Sequence, residues 1–302
     1  MKETDIIQRL QAACPTHEEI ILGIGDDAAV LAPYKGSTLV CKDMLLDGVH
    51  FIVKDTDPAL LGHKALAVNL SDIAAMGGRA SSAYVGLALP RSLNNAAFLD
   101  SLYEGINRLA ERYHVAIAGG DTNVWDGPFA ISVTVIGHSH PRGAITRSGA
   151  QLGDVIYVTG PLGDSYATGH HLRFTPRLNE AKELLDRVKI NSMIDLSDGL
   201  GKDLRLICEQ SGLRACLQRD QIPLRSSLRA IDREVALTQA LSDGEDFELC
   251  FTISPDEARR LPSGDQLPCF PIGRMTQGQG LAWEGVGGTL DVIKTRGYEH
   301  GV

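Results

Sequence analysis

Short apolar segments with the character of β-strands recur along the whole 302-residue chain, and segments with helical spacing lie between them. Residues 58–76 and 95–113 predict two helices in the first half. The second helix would present one apolar face, formed by Phe98, Leu102, Ile106 and Leu109. Strands are predicted at 20–24, 28–31, 38–44, 83–89, 115–118 and 130–137. This order predicts an α/β (α+β) fold in which a mixed sheet carries helices.

The second half is again a mixture of strands and helices. Its predicted strands are 155–159, 193–196, 215–218, 247–253 and 269–272, and its predicted helices are 179–188, 200–211 and 234–241. The stretch 138–154 is rich in Gly, Ser, Arg and Pro, which is typical of a connection. We therefore expect two domains, 1–139 and 140–302, the second also of the α+β class.

Composition narrows the kinds of protein that the chain can be. Hydrophobic residues make up 43% and charged residues 22%, which predicts a packed core. No apolar run reaches the roughly 18 residues of a membrane helix, and the N-terminus lacks the apolar core of a signal peptide, so a cytoplasmic protein is expected. The six cysteines form no C-x-x-C pair and are expected to be buried thiols. A zinc site or a disulfide framework is the alternative.

The charge of the chain bears on its partners. The net charge is -9, the chain has 29 basic residues, and no basic cluster stands out, so nucleic acid is not an expected partner. An acidic protein can still bind a polyphosphate if divalent cations lie between the two negative partners. Aspartate clusters are therefore the places to examine.

Four segments of the first half carry aspartates that are suited to a metal or phosphate site. They are Asp26 in GIGDD, Asp43 at the end of an apolar strand, Asp72 in the apolar helix KALAVNLSDIAAMGG, and Asp121 in AGGDT. In the helix, a buried carboxylate would need a cation or hydrogen-bond donors. Simple turns are the alternative for GIGDD and AGGDT, and a solvated stripe is the alternative for the helix.

Three later segments carry further polar groups. Arg147 in TRSG offers several donors to phosphate oxygens, although a single arginine in a loop is usually just solvated. In IDLSDGL, Asp195, Ser197 and Asp198 crowd the start of a helix, which is more than capping requires. SDGEDFE holds four acidic residues that repel one another unless cations or donors compensate, and a solvated loop is the alternative.

Several familiar signatures are absent from the sequence. The chain has no G-x-x-x-x-G-K-[ST] loop, no protein-kinase catalytic loop and no G-x-G-x-x-G at a helix start. It also lacks G-x-S-x-G and H-E-x-x-H. A Walker-type nucleotide site or a common hydrolase site is therefore disfavoured.

The order of the polar segments resembles the thiamine-monophosphate kinase family. The similar segments are GIGDDAAVL, KDMLLDGVHF, KALAVNLSDIAAMGG, GGDT, TRSGAQLGDVIYVTGPLGDS, IDLSDGL, GEDFELCFT and the closing GYEH. The resemblance implies the two-domain fold shared with aminoimidazole ribonucleotide synthetase. In that superfamily the N-terminal domain binds metal and ATP and pairs in a homodimer, and the C-terminal domain closes over the nucleotide and the substrate.

The resemblance also implies an activity: ATP phosphorylates thiamine monophosphate to thiamine diphosphate by direct in-line transfer, assisted by several Mg²⁺ ions. By matching positions, the implied metal ligands are Asp26, Asp43, Asp72, Asp121, Asp195 and Asp198. The implied catalytic residues are Asp43, Asp121 and Asp198. The implied ATP contacts are Gly120, Asp121, Arg147 and Ser197. The implied substrate contacts are His50, Glu245 and Tyr298.

Three positions in two segments depart from the family pattern. Cys41 and Lys42 stand where the family usually has small hydroxyl residues, and a lysine side chain would not bind Mg²⁺ but would either neutralise phosphate or point outward. Asp243 adds a carboxylate beside the expected thiamine subsite. The alternatives are therefore another ATP-dependent enzyme of the aminoimidazole ribonucleotide synthetase superfamily and a non-catalytic nucleotide-binding relative.

Overall fold

The computed structural model describes residues 1–25, 28–261, 267–285, 287, 289–294 and 297. The chain divides into two compact units. Unit 1 comprises Met1–Ile73 and Gly78–Gly143, and unit 2 comprises Ala74–Gly77 and Ala144–Val302. The main boundary between the units lies between Gly143 and Ala144.

Unit 1 is built on a sheet of four strands. The strands of the unit are β1 (Ile20–Leu22), β2 (Val30–Leu31), β3 (Thr38–Leu46), β4 (Arg79–Pro90), β5 (Ala116–Trp125) and β6 (Ala130–His138). The order in the main sheet is β3-β6-β4-β5, and β1 and β2 form a separate pair. Because β4 runs parallel to β5 and antiparallel to β6, the sheet is mixed, as the sequence predicts.

Three helices belong mainly to this unit: α1 (Glu3–Ala13), α2 (Pro58–Ala75) and α3 (Ala96–Tyr113). The two predicted helices are confirmed as α2 and α3, and the predicted apolar face of α3 is buried. Asn95 caps α3, because its side chain accepts a hydrogen bond from the Phe98 N–H at 3.0 Å. The sequence did not predict α1, in which Ile6 is the buried side chain among the described ones.

Two glycines allow α2 and α3 to touch through their backbones. A Cβ on Gly62 would lie 1.9 Å from the Leu102 carbonyl oxygen, and a Cβ on Gly105 would lie 1.8 Å from the Ala59 carbonyl oxygen. Neither position has room for a side chain, so the contact fixes where the first turns of α2 lie. Asp72 is carried on the same helix, three turns further along.

Unit 2 contains a sheet of seven strands. They are β7 (Val155–Val158), β8 (Ser192–Asp195), β9 (Arg214–Leu217), β10 (Leu249–Ile253), β11 (Phe270–Thr276), β12 (Gly280–Glu284) and β13 (Leu290–Val292). Their order is β13-β12-β9-β11-β7-β10-β8. Neighbouring strands are antiparallel except β12 and β9, which are parallel.

The helices of unit 2 are α4 (Leu178–Arg187), α5 (Leu200–Ser211), α6 (Arg233–Ser242) and the short α7 (Pro255–Ala258). The first three confirm the predicted helices of the second half. One apolar cluster includes Val158, Leu204, Leu237 and Cys250, so α5 and α6 pack against β7 and β10. This packing places the start of α5 beside the end of β8.

Some elements differ from the sequence prediction. The GGDT segment belongs to the continuous strand β5, although the prediction ended that strand at residue 118. Glycine is a poor strand former, but pairing of β5 with β4 overrides this weak local preference. Strands β12 and β13 were not predicted, and β10 begins at Leu249 because Phe247 has a left-handed φ of 49°.

Two properties of the chain as a whole follow from the coordinates. All six cysteines are described, and no disulfide joins any of them, so the prediction of thiols holds; Cys208, Cys216 and Cys250 are buried and the other three are half-buried. Within the described residues, no helix combines the length and apolar character needed to cross a membrane.

Candidate functional site

Asp43 lies on β3, and strand geometry decides which way it points. Burial alternates along β3, so that Cys41, Asp43 and Leu45 face one side of the sheet while Lys42 is exposed on the other. The Cys41 thiol donates to the Asn69 carbonyl oxygen of α2 at 3.3 Å, which identifies the Asp43 side as the side covered by α2. Lys42 therefore points outward, away from the predicted metal ligand.

Asp72 is half-buried on α2, one turn beyond Asn69. The Asn69 side chain is completely buried and donates to the Ala65 carbonyl oxygen at 3.2 Å. Its amide oxygen has no hydrogen-bond partner among the described groups. A buried amide oxygen without a donor is costly, so this point of α2 is suited to a water molecule or a cation.

His50 lies in the loop that follows β3. Two hydrogen bonds hold His50 itself, and a third closes the loop. Its Nδ1 accepts a hydrogen bond from the Leu46 N–H at 3.0 Å, so in the neutral ring the proton sits on Nε2. The His50 carbonyl oxygen accepts from the ammonium of Lys64, a fully buried side chain of α2, at 3.0 Å. The side chain of Asp47 accepts from the Val53 N–H at 2.9 Å and closes the loop.

Gly120 and Asp121 lie on β5, at the opposite edge of the sheet from Asp43. A Cβ on Gly120 would lie 2.0 Å from the Val85 carbonyl oxygen, so contact with β4 already requires a glycine here. The Asp121 side chain is exposed and accepts a hydrogen bond from Asn123 at 2.8 Å. With Ile6 of α1, this part of β5 borders a cavity of about 70 Å³.

The strand register relates Asp43 to Asp121 directly. Asp43 pairs with Val133, Val133 with Val85, and Val85 with Gly120. Gly120, three strand spacings or about 14 Å away, thus shares the row of Asp43. Asp121 is one residue further along and points to the other face of the sheet. Asp43 and Asp121 of unit 1 therefore stand on opposite faces of its sheet.

Arg147 is exposed in a loop of unit 2 that the chain organises closely. The Thr146 carbonyl oxygen accepts a hydrogen bond from the Met193 N–H of β8 at 3.1 Å, and the Thr146 hydroxyl donates to the Ser148 carbonyl oxygen at 2.7 Å. Gly149 has a φ of 121°, and a Cβ there would lie 2.6 Å from the Asn191 carbonyl oxygen. The backbone on both sides of Arg147 is thus anchored at the start of β8.

Three aspartates lie between the end of β8 and the first turn of α5. Asp195 is the buried last residue of β8, and Asp198 is paired with Lys202 at 2.8 Å. Asp203, which the sequence reading missed, accepts a hydrogen bond from the Asp198 N–H at 3.0 Å. Burial, together with the charges of Asp195 and Asp198, raises the pKa of Asp203 well above its ordinary value. The repulsion that this implies would be relieved by a bound cation.

The predicted ligands are carboxylates, the type of group that Mg²⁺ binds, but they do not by themselves form a complete coordination shell. Among the described residues, no three His, Cys, Asp or Glu side chains stand together as a complete metal centre; Asp26 lies outside the described residues. Mg²⁺ takes oxygen ligands and is usually held by one or two carboxylates, with substrate phosphates and water completing its shell. Carboxylates grouped as Asp195 with Asp198 fit that mode of binding.

The SDGEDFE segment forms a tight turn between α6 and β10. Its acidic residues differ in burial and in their partners. Asp246 and Glu248 are buried in ion pairs with Arg225 and Arg177, at 2.9 Å and 2.6 Å. Glu245 is only half-buried, and its backbone N–H donates to the Ser197 carbonyl oxygen at 2.7 Å. The predicted substrate contact and the predicted ATP contact are therefore neighbours in unit 2.

The C-terminal segment also reaches this region of unit 2. Tyr298 lies outside the described residues, but Gly297 is described. A Cβ on Gly297 would lie 2.3 Å from the Asp198 carbonyl oxygen, so the chain passes directly beside Asp198 one residue before Tyr298.

The chain is similar to known proteins over most of its length. Residues 25–139 match the family model "AIR synthase related protein, N-terminal domain". The thiamine-monophosphate kinase of Rhodopirellula baltica is 39% identical over 94% of this chain and 92% of its own length. This chain belongs to the thiamine-monophosphate kinase family.

Solved structures of the family have the same fold. The thiamine-monophosphate kinase of Stenotrophomonas maltophilia matches with a TM-score of 0.80 and 35% identity, covering 93% of this chain and 95% of that one. AaThiL, solved in complex with AMPPCP and TMP, matches with a TM-score of 0.77 and 27% identity, covering 98% and 95%. The family resemblance and the fold class drawn from the sequence are both confirmed.

Three supporting residues of this family member were not found from the sequence: Lys64, Asp203 and Arg225. Lys64 and Asp203 contact the predicted site residues His50 and Asp198, and Arg225 is paired with Asp246, the neighbour of Glu245. The available signal was weak. Lys64 was visible as a cation inside the apolar helix α2, where an unpaired charge would be costly.

Proposed function

We propose that this chain catalyses the ATP-dependent phosphorylation of thiamine monophosphate to thiamine diphosphate, in the cytoplasm where ATP is available. Membership of the family supports the reaction. The observation that carries the proposal is the hydrogen bond from the Glu245 N–H to the Ser197 carbonyl oxygen at 2.7 Å. It joins the residue expected to contact the phosphate acceptor to the residue expected to contact ATP.

The chemistry is a direct transfer between two phosphates. An oxygen of the acceptor phosphate forms a bond to the γ-phosphorus of ATP as the bond from that phosphorus to the β-bridging oxygen breaks, which releases ADP. A phosphate monoester has a second pKa of about 6, so the attacking oxygen is largely ionised at neutral pH and needs no strong general base. The difficulty lies in bringing two anions together.

Several side chains of this protein would bind the two anionic substrates and hold them close to each other. Arg147, on its anchored loop, would donate several hydrogen bonds to phosphate oxygens. His50 would donate from Nε2, since its Nδ1 already accepts from Leu46. The carboxylate of Glu245 would face the cationic thiazolium ring of the acceptor. These contacts orient both substrates for in-line transfer.

The aspartates of both units would hold several Mg²⁺ ions: Asp26, Asp43, Asp72, Asp121, Asp195 and Asp198. When bound, Mg²⁺ neutralises the phosphate charge that these carboxylates would otherwise repel. Lys42 points away from Asp43 and would not compete with Mg²⁺ there, whereas the Lys202 ammonium, 2.8 Å from Asp198, would give way to a bound ion.

A homodimer through unit 1 is the second part of the proposal. The sheet face opposite α2 exposes apolar side chains at Val40, Met44, Leu46 and Trp125, with Val40 66% exposed. Exposed apolar side chains gathered on one sheet face are typical of a protein interface. The face is suited to pairing with the same face of a second copy.

An assay of ADP release tests the proposed reaction. We expect release by the wild-type protein to require both thiamine monophosphate and Mg²⁺. Asp43→Asn and Asp198→Asn should each lower kcat by roughly a hundredfold or more, because each removes charge stabilisation from the transition state. The control is Asp256→Asn, which changes an exposed aspartate of α7 paired with Arg259 and should leave kcat unchanged.

Two results would contradict the proposal. Release of ADP that does not depend on thiamine monophosphate would favour another ATP-dependent enzyme of the superfamily. If no ADP is released from ATP with or without thiamine monophosphate, the chain would instead be a nucleotide-binding relative without catalytic activity.

A further inference from the structure

The turn that carries Glu245 has an unusual backbone. Gly244, Glu245 and Phe247 all have left-handed φ values, of 70°, 58° and 49°. Residues with a Cβ adopt this region rarely, and a bulky aromatic residue very rarely. Such a conformation persists only where the surrounding structure holds it in place. The contacts that hold this turn therefore decide where the Glu245 carboxylate points.

One side of the turn is held by the loop between β8 and α5. In addition to the contact from Glu245 to Ser197, the Phe247 N–H donates to the Leu196 carbonyl oxygen at 2.8 Å. A Cβ on Gly244 would lie 2.7 Å from the Ser197 carbonyl oxygen, so the two backbones touch. These contacts are all made by backbone atoms, and they hold the turn from the side of the β8–α5 loop.

The other side of the turn is held by two carboxylates: the exposed Asp243, which accepts from the Asp164 N–H at 3.0 Å, and the buried Asp246. Asp246 is 1% exposed, and its side chain accepts from the Gly163 N–H at 3.0 Å, the Ser165 hydroxyl at 2.5 Å and the Arg225 guanidinium at 2.9 Å. Arg225 also donates to the Gly163 carbonyl oxygen at 2.8 Å and to the Pro161 carbonyl oxygen at 3.2 Å. One guanidinium thus links the loop 161–165 to the turn.

A second buried ion pair lies two residues further along and provides a contrast. Arg177 binds the Glu248 carboxylate through two nitrogens, at 2.7 Å and 2.6 Å. Glu248 directly precedes the regular strand β10, and it has none of the left-handed backbone seen at Glu245 and Phe247. Both pairs neutralise a buried charge, but of the two only the Arg225 pair involves the residue next to Glu245.

We propose that Arg225 is a positioning residue for the phosphate acceptor: acting through Asp246, it fixes the left-handed turn that aims the Glu245 carboxylate at thiamine monophosphate. This inference rests on the proposed function, which assigns Glu245 to the acceptor. Arg225 itself touches neither substrate. Its loss should weaken acceptor binding and leave ATP binding and the transfer step nearly unchanged.

Steady-state kinetics of the full-length protein test the inference. In Arg225→Gln, KM for thiamine monophosphate should rise roughly tenfold, the loss expected for one charged hydrogen bond. KM for ATP and kcat should stay within about twofold of the wild-type values, because the contacts that bind ATP and stabilise the transition state are unaltered. Arg225→Lys should recover part of the loss, since an ammonium reaches fewer of these acceptors than a guanidinium does.

Two further variants separate positioning from general damage. Glu245→Gln should raise the same KM, and the double variant Arg225→Gln with Glu245→Gln should be no worse than Glu245→Gln alone. Arg177→Gln, which breaks the neighbouring buried pair, should lower stability and leave KM for thiamine monophosphate unchanged. If Arg225→Gln does not fold, Ser165→Ala is the alternative variant. It removes one neutral donor to Asp246 and should give a smaller rise in KM for thiamine monophosphate.

The outcomes are distinct. A wild-type protein without activity toward thiamine monophosphate overturns the proposed function and this inference with it. An active wild-type protein overturns the inference alone in two cases: if KM is unchanged in Arg225→Gln and Ser165→Ala, or if the Arg225 and Glu245 effects add. An equal rise of KM in Arg177→Gln would also overturn it, because the effect would then follow any loss of a buried ion pair.

Discussion

The two units present their acidic residues in different ways. In unit 1, Asp43 and Asp121 stand on regular strands, and the alternation of the strand directs each side chain. In unit 2, Asp198 and Glu245 stand in loops, where backbone hydrogen bonds and buried ion pairs hold them. On a strand, alternation fixes which side chains share a face, and the pairing of neighbouring strands fixes which face that is. A direction set in a loop depends on residues far away in the chain.

The difference extends to how the units neutralise buried charge. In unit 2 the carboxylates of Asp246 and Glu248 lie inside the protein, each facing one arginine. In unit 1 the comparable group is Glu19, at about a third exposure, which pairs with Arg79 and accepts from the Ser81 hydroxyl at 2.7 Å. Loss of a partner should therefore cost far more in unit 2.

The largest expected effect is on a buried pair of unit 2. Arg177→Gln leaves the Glu248 carboxylate, only 2% exposed, without its cation, and should lower the free energy of unfolding by about 3–5 kcal/mol. Arg274→Gln, which breaks the exposed pair with Glu284 in the same unit, should cost less than about 1 kcal/mol. Denaturant unfolding of both variants measures the difference. Equal losses would remove the contrast between buried and exposed pairs.

A smaller effect is expected on the sheet of unit 1. Gly120→Ala forces a Cβ to within 2.0 Å of the Val85 carbonyl oxygen and should cost about 2 kcal/mol as β5 shifts away from β4. Gly86→Ala, in the neighbouring strand, places its Cβ 3.7 Å from the nearest atom and should be nearly neutral. Thermal unfolding of the pair tests this. If Gly120→Ala is as stable as the wild-type protein, the contact with β4 does not require a glycine, and the glycine would serve ligand binding alone.

A third group of effects concerns pH, and these effects should have opposite signs in the two units. Burial would raise the pKa of Glu19, but hydrogen bonds from Arg79 and Ser81 and the charge of Arg79 lower it to about 2 from an ordinary 4.5. Burial raises the pKa of Asp246 to about 6 from an ordinary 3.8, against the opposing hydrogen bonds from Ser165, Gly163 and Arg225. Glu19 therefore binds its proton more weakly in the folded state than in the unfolded state, and Asp246 binds its proton more strongly.

The expected pH profiles follow from these two shifts. Compared with Glu19→Gln, the wild-type protein should lose stability as pH falls from about 4.5 towards 2. Compared with Asp246→Asn, it should lose stability as pH rises from about 4 to 6. Free energies of unfolding measured at several pH values decide both points. Parallel profiles for the wild-type protein and a variant would show that the carboxyl in question has no shifted pKa.

Much of the architecture was predictable because it depends on local patterns. The face of α3 follows from apolar residues at helical spacing, and β3 follows from a run of apolar residues that ends at a polar segment. The GGDT strand was not predictable, because the pairing of β5 with β4 lengthens a segment that glycine alone would end. The helix α1 was missed because it buries so little of its own surface.

The sequence by itself determined the family, the fold class and the set of polar segments, because these depend on residue types and on their order along the chain. Only the tertiary structure decided how those segments are used. It turned Lys42 outward, placed Asp43 and Asp121 on opposite faces of one sheet, and joined Glu245 to Ser197. It also assigned Asp246 to Arg225, 21 residues away. A pairing of this kind depends on where two distant backbones meet, which no local pattern specifies.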